Sequence, residues 1–163
     1  MFKINDRQAI NAIRDVLRNE LEDPRAQYTS ASRTWIHTDD PLSHATYPRV
    51  KISKRGPTQT EIMSMGMTNF GEWKTLILDI DFLSESPFKW DSGSGVYLQD
   101  EELGKEYLSK IWDALKADHT NLRDTYGITG LKNMGEEEPY LQPDTQLYSA
   151  TISVRFWYFT LQT

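Results

Sequence analysis

The chain has 163 residues and no cysteine, which excludes a disulfide framework, a thiol nucleophile and a thiolate metal site. Its 24 acidic and 18 basic side chains leave a net charge of −6, whereas a protein gripping nucleic acid over a broad surface needs a basic patch. No apolar run approaches the ~18 residues of a membrane span, and one soluble domain over residues 1–163 is expected at this length.

Aromatic residues are plentiful, with 5 Trp, 8 Tyr and 6 Phe. Large rigid rings serve interfaces as well as cores, so this content leans toward a subunit that binds other subunits. The opening "MFKINDRQAINAIRDVL" lacks the apolar core of a signal peptide, so no secretory leader is expected.

The first element reads as an amphipathic helix. Asn5 or Asp6 caps it, Ile10, Ile13, Leu17 and Leu21 form its stripe, Ala9 and Val16 widen the stripe, and Pro24 closes the segment. Residues 25–46 are polar, with a short strand expected around Trp35 and a loop through "DDPLSHATYP". Arg49–Ser53 alternates, placing Val50 and Ile52 on one face and Arg49 and Lys51 on the other. Lys54, Arg55, Gly56 and Pro57 read as a turn or the tip of an extended hairpin.

Period two continues from Thr58 to Asn69, with Met63, Met65 and Met67 on one face and Ile62, Ser64 and Gly66 on the other. The methionines suit core filling or an adaptable contact surface. Gly71 offers a further turn. Lys74–Leu83 is the strongest strand signal, with Leu76, Leu78, Ile80 and Phe82 opposite Thr75, Ile77, Asp79 and Asp81. Short connections join these three segments into an antiparallel meander, because a parallel pair needs a crossover of a dozen residues or more.

"SESPFKWDSGSGVYLQDEE" breaks the pattern and reads as a long loop carrying Phe88 and Trp90 beside Gly93 and Gly95, a binding arm in form. A second long helix follows from Asp100 to Tyr126, with Leu103, Tyr107, Ile111, Ala114 and Leu115 as its stripe. Its acidic start suits the helix dipole, and Gly127 stands where a C-cap glycine belongs. Ile128–Met134 reads as a short strand and "GEEEPY" as a charged turn. In Gln146–Leu161, Ala150, Ile152, Val154, Phe156 and Tyr158 face one way, and Thr151, Ser153, Arg155, Trp157 and Phe159 face the other. A strand apolar on both sides is either central or covered by a neighbouring subunit.

Candidate chemistry is sparse. Asp79, Asp81 and Glu85 with one of His37, His44 or His119 would make a hydrolytic metal site, but D-x-D spacing comes free with strand alternation and the histidines have no paired ligand spacing. Gly93-Ser94-Gly95 lacks the third glycine of a dinucleotide fingerprint and the lysine of a phosphate loop, and no nucleophile elbow occurs. Arg49, Lys51, Lys54 and Arg55 form the basic cluster. It serves as a solvated edge, as a patch for an acidic neighbouring subunit or, the weakest of the three readings, as a contact for nucleic acid.

The expected fold class is α+β: a mainly antiparallel sheet flanked by two long α-helices, with an extended hairpin and long loops. This order resembles the tail terminator, or tail completion, proteins of long-tailed phages and related tailed viruses. "YPRVKIS", "WKTLILDIDFL", the Leu103–Leu122 helix and "ATISVRFWYF" carry the resemblance, which spans nearly the whole chain. It implies a virion protein of the neck region, assembled in the host cytoplasm. Such a protein forms a ring, hexameric in that family, on the tail tube, stops tail polymerisation and joins the tail to the head connector. It implies no catalytic residue, and DNA that passes through the ring without specific binding; no enzymatic activity, metal or cofactor is expected, because the carboxylates and histidines show no ligand spacing. Partners would be further copies, the tail tube protein and head-tail connector proteins, with no membrane. Candidate subunit-interface residues are Arg49, Lys51, Lys54, Arg55, Phe88, Trp90, Trp157 and Phe159. The rival readings are another neck or tail subunit, such as a head-tail joining or tube protein, and a small metal-dependent hydrolase.

Overall fold

The computed structural model describes residues 4–38, 46–64 and 70–162. In chain order the elements are α1 (Asp6–Glu20), a 3₁₀ turn (Pro24–Gln27), β1 (Ile36–His37), β2 (Arg49–Lys54), β3 (Gln59–Ser64), β4 (Phe70–Glu85), β5 (Lys89–Asp91), β6 (Tyr97–Gln99), α2 (Asp100–Ala117), α3 (His119–Tyr126), β7 (Ile128–Leu141) and β8 (Leu147–Gln162). They make a mixed α/β fold with a mostly antiparallel sheet and three α-helices.

β4 and β8 form the spine, paired without a register shift from Phe70–Gln162 to Glu85–Leu147. β7 borders β8, while β2 and β3 border β4, and β1 adds the single parallel pairing at the β2 edge. β5 and β6 make a separate two-stranded ribbon. The sixteen-residue spine strands run roughly 50 Å at about 3.3 Å per residue. The eighteen-residue α2 reaches only about 27 Å at 1.5 Å per residue. The helices therefore cannot cover the whole sheet.

The helices lie on the face that carries Val50, Ile52, Leu76, Leu78, Ile80, Phe82, Ala150, Ile152, Val154, Phe156 and Tyr158, all buried. Tyr107 of α2 is the hub. Its ring stacks on Phe82 at 4.6 Å and meets Trp35 and Trp90 edge-on, while its hydroxyl donates to the Glu22 carbonyl at 3.1 Å. Burial raises the pKa of this phenol. α2 sits so close to β8 that a Cβ at Gly104 would fall 2.9 Å from that of Ala150.

α1 begins with a capping box between Asn5 and Gln8. Asp6, in the first turn, accepts hydrogen bonds from the hydroxyls of Tyr158 and Thr58 and an ion pair from Lys54 at 3.0 Å. Those contacts pin the helix start to β8 and to the chain beyond β2.

Several sequence expectations change. β2 and β3 do not form a meander with β4. Both pair with β4 along the same edge, and four residues, 55–58, stand opposite two, Leu76 and Ile77. Residues 55–58 are thus an interruption within one ladder, held by the Arg55 amide on the Ile77 carbonyl at 2.8 Å, and Lys54–Pro57 is not the tip of an extended hairpin. Gly71 lies within β4 and makes no turn. The expected helix 100–126 divides at Asp118, so two long helices become three helices, with Gly127 capping the last at φ 69°. β7 runs through "GEEEPY" to Leu141, accommodating Gly130, Gly135 and Pro139 by three register shifts. Met65, Met67 and His44 lie outside the described residues.

Candidate interaction face

The alternate residues of the same strands face away from the helices. On the β2 half of this uncovered face the sheet is polar and internally paired. Ser153 donates to Asp79 at 2.7 Å and Thr151 to Asp81 at 2.6 Å, across the β4–β8 ladder. Arg55 bridges Asp79 at 3.0 Å and approaches Glu137 of β7 at 3.9 Å. Lys51 stands opposite Asp81 in the register. Burial raises the Asp81 pKa, with Asp79 and Glu137 adding to the effect, against the lowering influence of the Thr151 hydroxyl and Lys51.

The expected basic patch is accordingly engaged within its own chain. Lys54 serves Asp6, Arg55 serves Asp79 and Glu137, and the Arg49 guanidinium lies 4.2 Å from the Tyr47 ring centre. Exposed pairs of this kind contribute about 0.2–1 kcal/mol each.

Phe88 and Trp90 are not displayed on an arm. Trp90 is buried in the core against Tyr107, with the Lys110 ammonium over its ring at 5.2 Å. Phe88 is half-buried, edge-on to Tyr28 at 5.8 Å. The segment is tied to the 3₁₀ turn by Gln27, which exchanges hydrogen bonds with Asp91, and by the Tyr28 hydroxyl on the Lys89 carbonyl. An irregular loop conceals such anchoring from a periodicity argument, because no spacing marks which rings turn inward.

Trp157 and Phe159 stand where alternation placed them, on the uncovered face of β8. Trp157 is 37% exposed, and Phe159 packs against Trp73 with ring centres 5.1 Å apart. Around them a groove of about 630 Å³ crosses four strands, lined by Glu61, Trp73, Ile77, Met134, Arg155 and Trp157 among others. Gly130 of β7 forms the seat of Trp157: a Cβ there would lie 2.4 Å from indole Cε2. Arg155 lies opposite Ile77 and Lys132 in the ladders, with its guanidinium 5.9 Å from the Trp157 ring centre. Its Nε is buried without a hydrogen-bond partner, and among the described residues no carboxylate pairs with it. Leaving such a donor unpaired costs about 1–3 kcal/mol.

Sequence reasoning missed Trp73, Met134, Gly130 and the lack of a carboxylate for Arg155 among the described residues. Extending the β4 alternation by one more pair would have found Trp73. Nothing local marks the others, since they meet only through pairing of β7 with β8.

The hydrolytic alternative gains no geometry. Asp79 and Asp81 are spent on Ser153, Thr151 and Arg55, while His37 is in β1 and His119 opens α3. Among the described residues no group of three His, Asp or Glu side chains is arranged to hold a metal ion. Comparison with protein-family models and with curated proteins returned no match.

Proposed function

We propose that this protein is a non-enzymatic structural subunit of the tail terminator kind. It caps the tail tube of a tailed virus as a ring, stops tube growth and joins the tail to the head connector. The observation that carries this reading is the one-sided sheet: the helices cover one face, and the other presents Trp73, Trp157 and Phe159 around Arg155, which has no carboxylate partner among the described residues. A sheet face with aromatic rings and a half-buried arginine suits contact with protein, where Trp and Arg contribute most per residue.

Two further features support it. The mostly antiparallel sheet with helices on one side agrees with the fold that the resemblance implies. The net charge of −6 suits a ring through which DNA slides without being held. The working partners are further copies of the chain, the tail tube protein and the head connector, and the location is the virion neck.

The test is assembly. Electron microscopy of the purified protein is expected to show closed rings of one size. Co-expression with the tube protein encoded in the same genome is expected to yield tubes with one such ring at an end. Indefinite stacking of the chain itself would favour the tube-protein reading, and a monomer that leaves tube growth unchanged would overturn both.

A further inference from the structure

We propose that the groove at Arg155 seats the acidic run Glu136–Glu138 of a second copy of this chain, with a carboxylate of that run on the Arg155 guanidinium. The inference rests on the ring reading above and names the contact that closes the ring.

Charge complementarity selects the occupant. Lys54 and Arg55 already have carboxylates of their own chain, whereas Arg155 has none among the described residues. Lys132, its cross-strand neighbour on β7, is exposed and adds positive charge to the same rim. In the other direction, Glu136, Glu137 and Glu138 are all exposed. Glu136 makes no ion pair among the described residues, Glu137 meets Arg55 only at 3.9 Å, and Glu138 reaches Lys105 with its side chain 88% exposed.

The backbone of the run points the same way. β7 is an outer strand, but register shifts on both sides of Glu136–Glu137 and the proline at 139 spoil it as a template for further strand pairing. What this edge can offer a neighbour is its carboxylates. The groove, on the same sheet but on its uncovered face, offers rings and a cation. Each copy then has one donor run and one receiving groove, a head-to-tail arrangement that repeats and closes into a ring when the rotation allows. A chain of net charge −6 repels itself at long range; a local contact of opposite charges offsets that repulsion, and it is sensitive to salt.

Complementary variants test this by native mass spectrometry and sedimentation. Arg155→Glu alone, and Glu136→Lys with Glu138→Lys alone, are each expected to weaken self-association at least tenfold while keeping the parent's melting temperature. Mixed in equal amounts, they are expected to assemble into alternating complexes, because each groove then finds a run of opposite charge. Since the glutamates are exposed, the lysine variant tests the contact even where Arg155→Glu fails to fold. A parent that assembles with the lysine variant unaffected overturns this contact and leaves the ring reading standing. Variants that dissociate and stay apart on mixing also overturn it, and assign the groove to a different partner. A parent that stays monomeric overturns both.

Discussion

Trp157 rests on Gly130, close enough that a single methyl group at residue 130 would fall inside the indole. Gly130 also has φ 66°, a conformation that L side chains rarely adopt. Gly130→Ala is therefore expected to destabilise the fold by about 1–3 kcal/mol and to tilt Trp157 out of the groove wall. Urea denaturation gives the first effect, and a shift in tryptophan emission the second. A variant with parental stability and emission would show that the ring does not sit there.

The two tryptophans named from the sequence as interface candidates are expected to behave in opposite ways. Trp90→Ala empties the space beside Tyr107 and is expected to cost about 3–5 kcal/mol. Trp157→Ala, at a 37% exposed position, is expected to cost about 1 kcal/mol or less and yet to impair assembly. Denaturation and particle size measured on both variants check the contrast, and equal stability losses would contradict it.

Asp6 is expected to make the fold acid-sensitive. Burial opposes its ionisation, but hydrogen bonds from Thr58, Tyr158 and Lys54 outweigh burial and hold its pKa below the ordinary 3.8. Its folded value lies below its unfolded value, so its stabilisation is full above pH 3.8 and is lost as pH falls through the folded value. Asp6→Asn is expected to cost about 1–2 kcal/mol at pH 7, with the difference from the parent vanishing in strong acid. A gap that persists at the lowest pH would mean that the charge is not what holds α1 to β8.

Asp81 is expected to show the reverse sign. Burial raises its pKa above 3.8, so the ionised folded state is penalised as pH rises through the folded value. Asp81→Asn keeps an oxygen to accept from the Thr151 hydroxyl. It is expected to match or exceed the parent's stability at pH 7, by up to about 1 kcal/mol, with the advantage fading in acid. Unfolding free energies from pH 3 to 8 decide the matter, and a marked loss at neutral pH would contradict it.

Much of this fold was legible because its elements keep one period. The α1 stripe, the Gly127 cap and the two-faced apolarity of β8, which becomes the central strand between β4 and β7, follow from spacing alone. β7 was not legible as a long strand, since its charges, glycines and proline imitate a turn and only pairing with β8 keeps it extended. The division at Asp118 leaves the helical period almost intact, so it has no sequence signature. At the candidate site, Trp157 and Phe159 could be placed by alternation. That Arg155 has no carboxylate partner among the described residues follows from the pairing of β8 with β4 and β7, which is settled only in three dimensions.

Oxidative footprinting reads the uncovered sheet face directly. Trp157 and Met134, at 37% and 44% exposure, are open to hydroxyl radicals in the dilute single chain, as is Tyr97 at 56% on the separate β5–β6 ribbon. On assembly, oxidation of Trp157 and Met134 is expected to fall several-fold while that of Tyr97 changes little. Assembled protein in which Trp157 and Met134 oxidise as fast as in the single chain would contradict the claim that this face makes the contact.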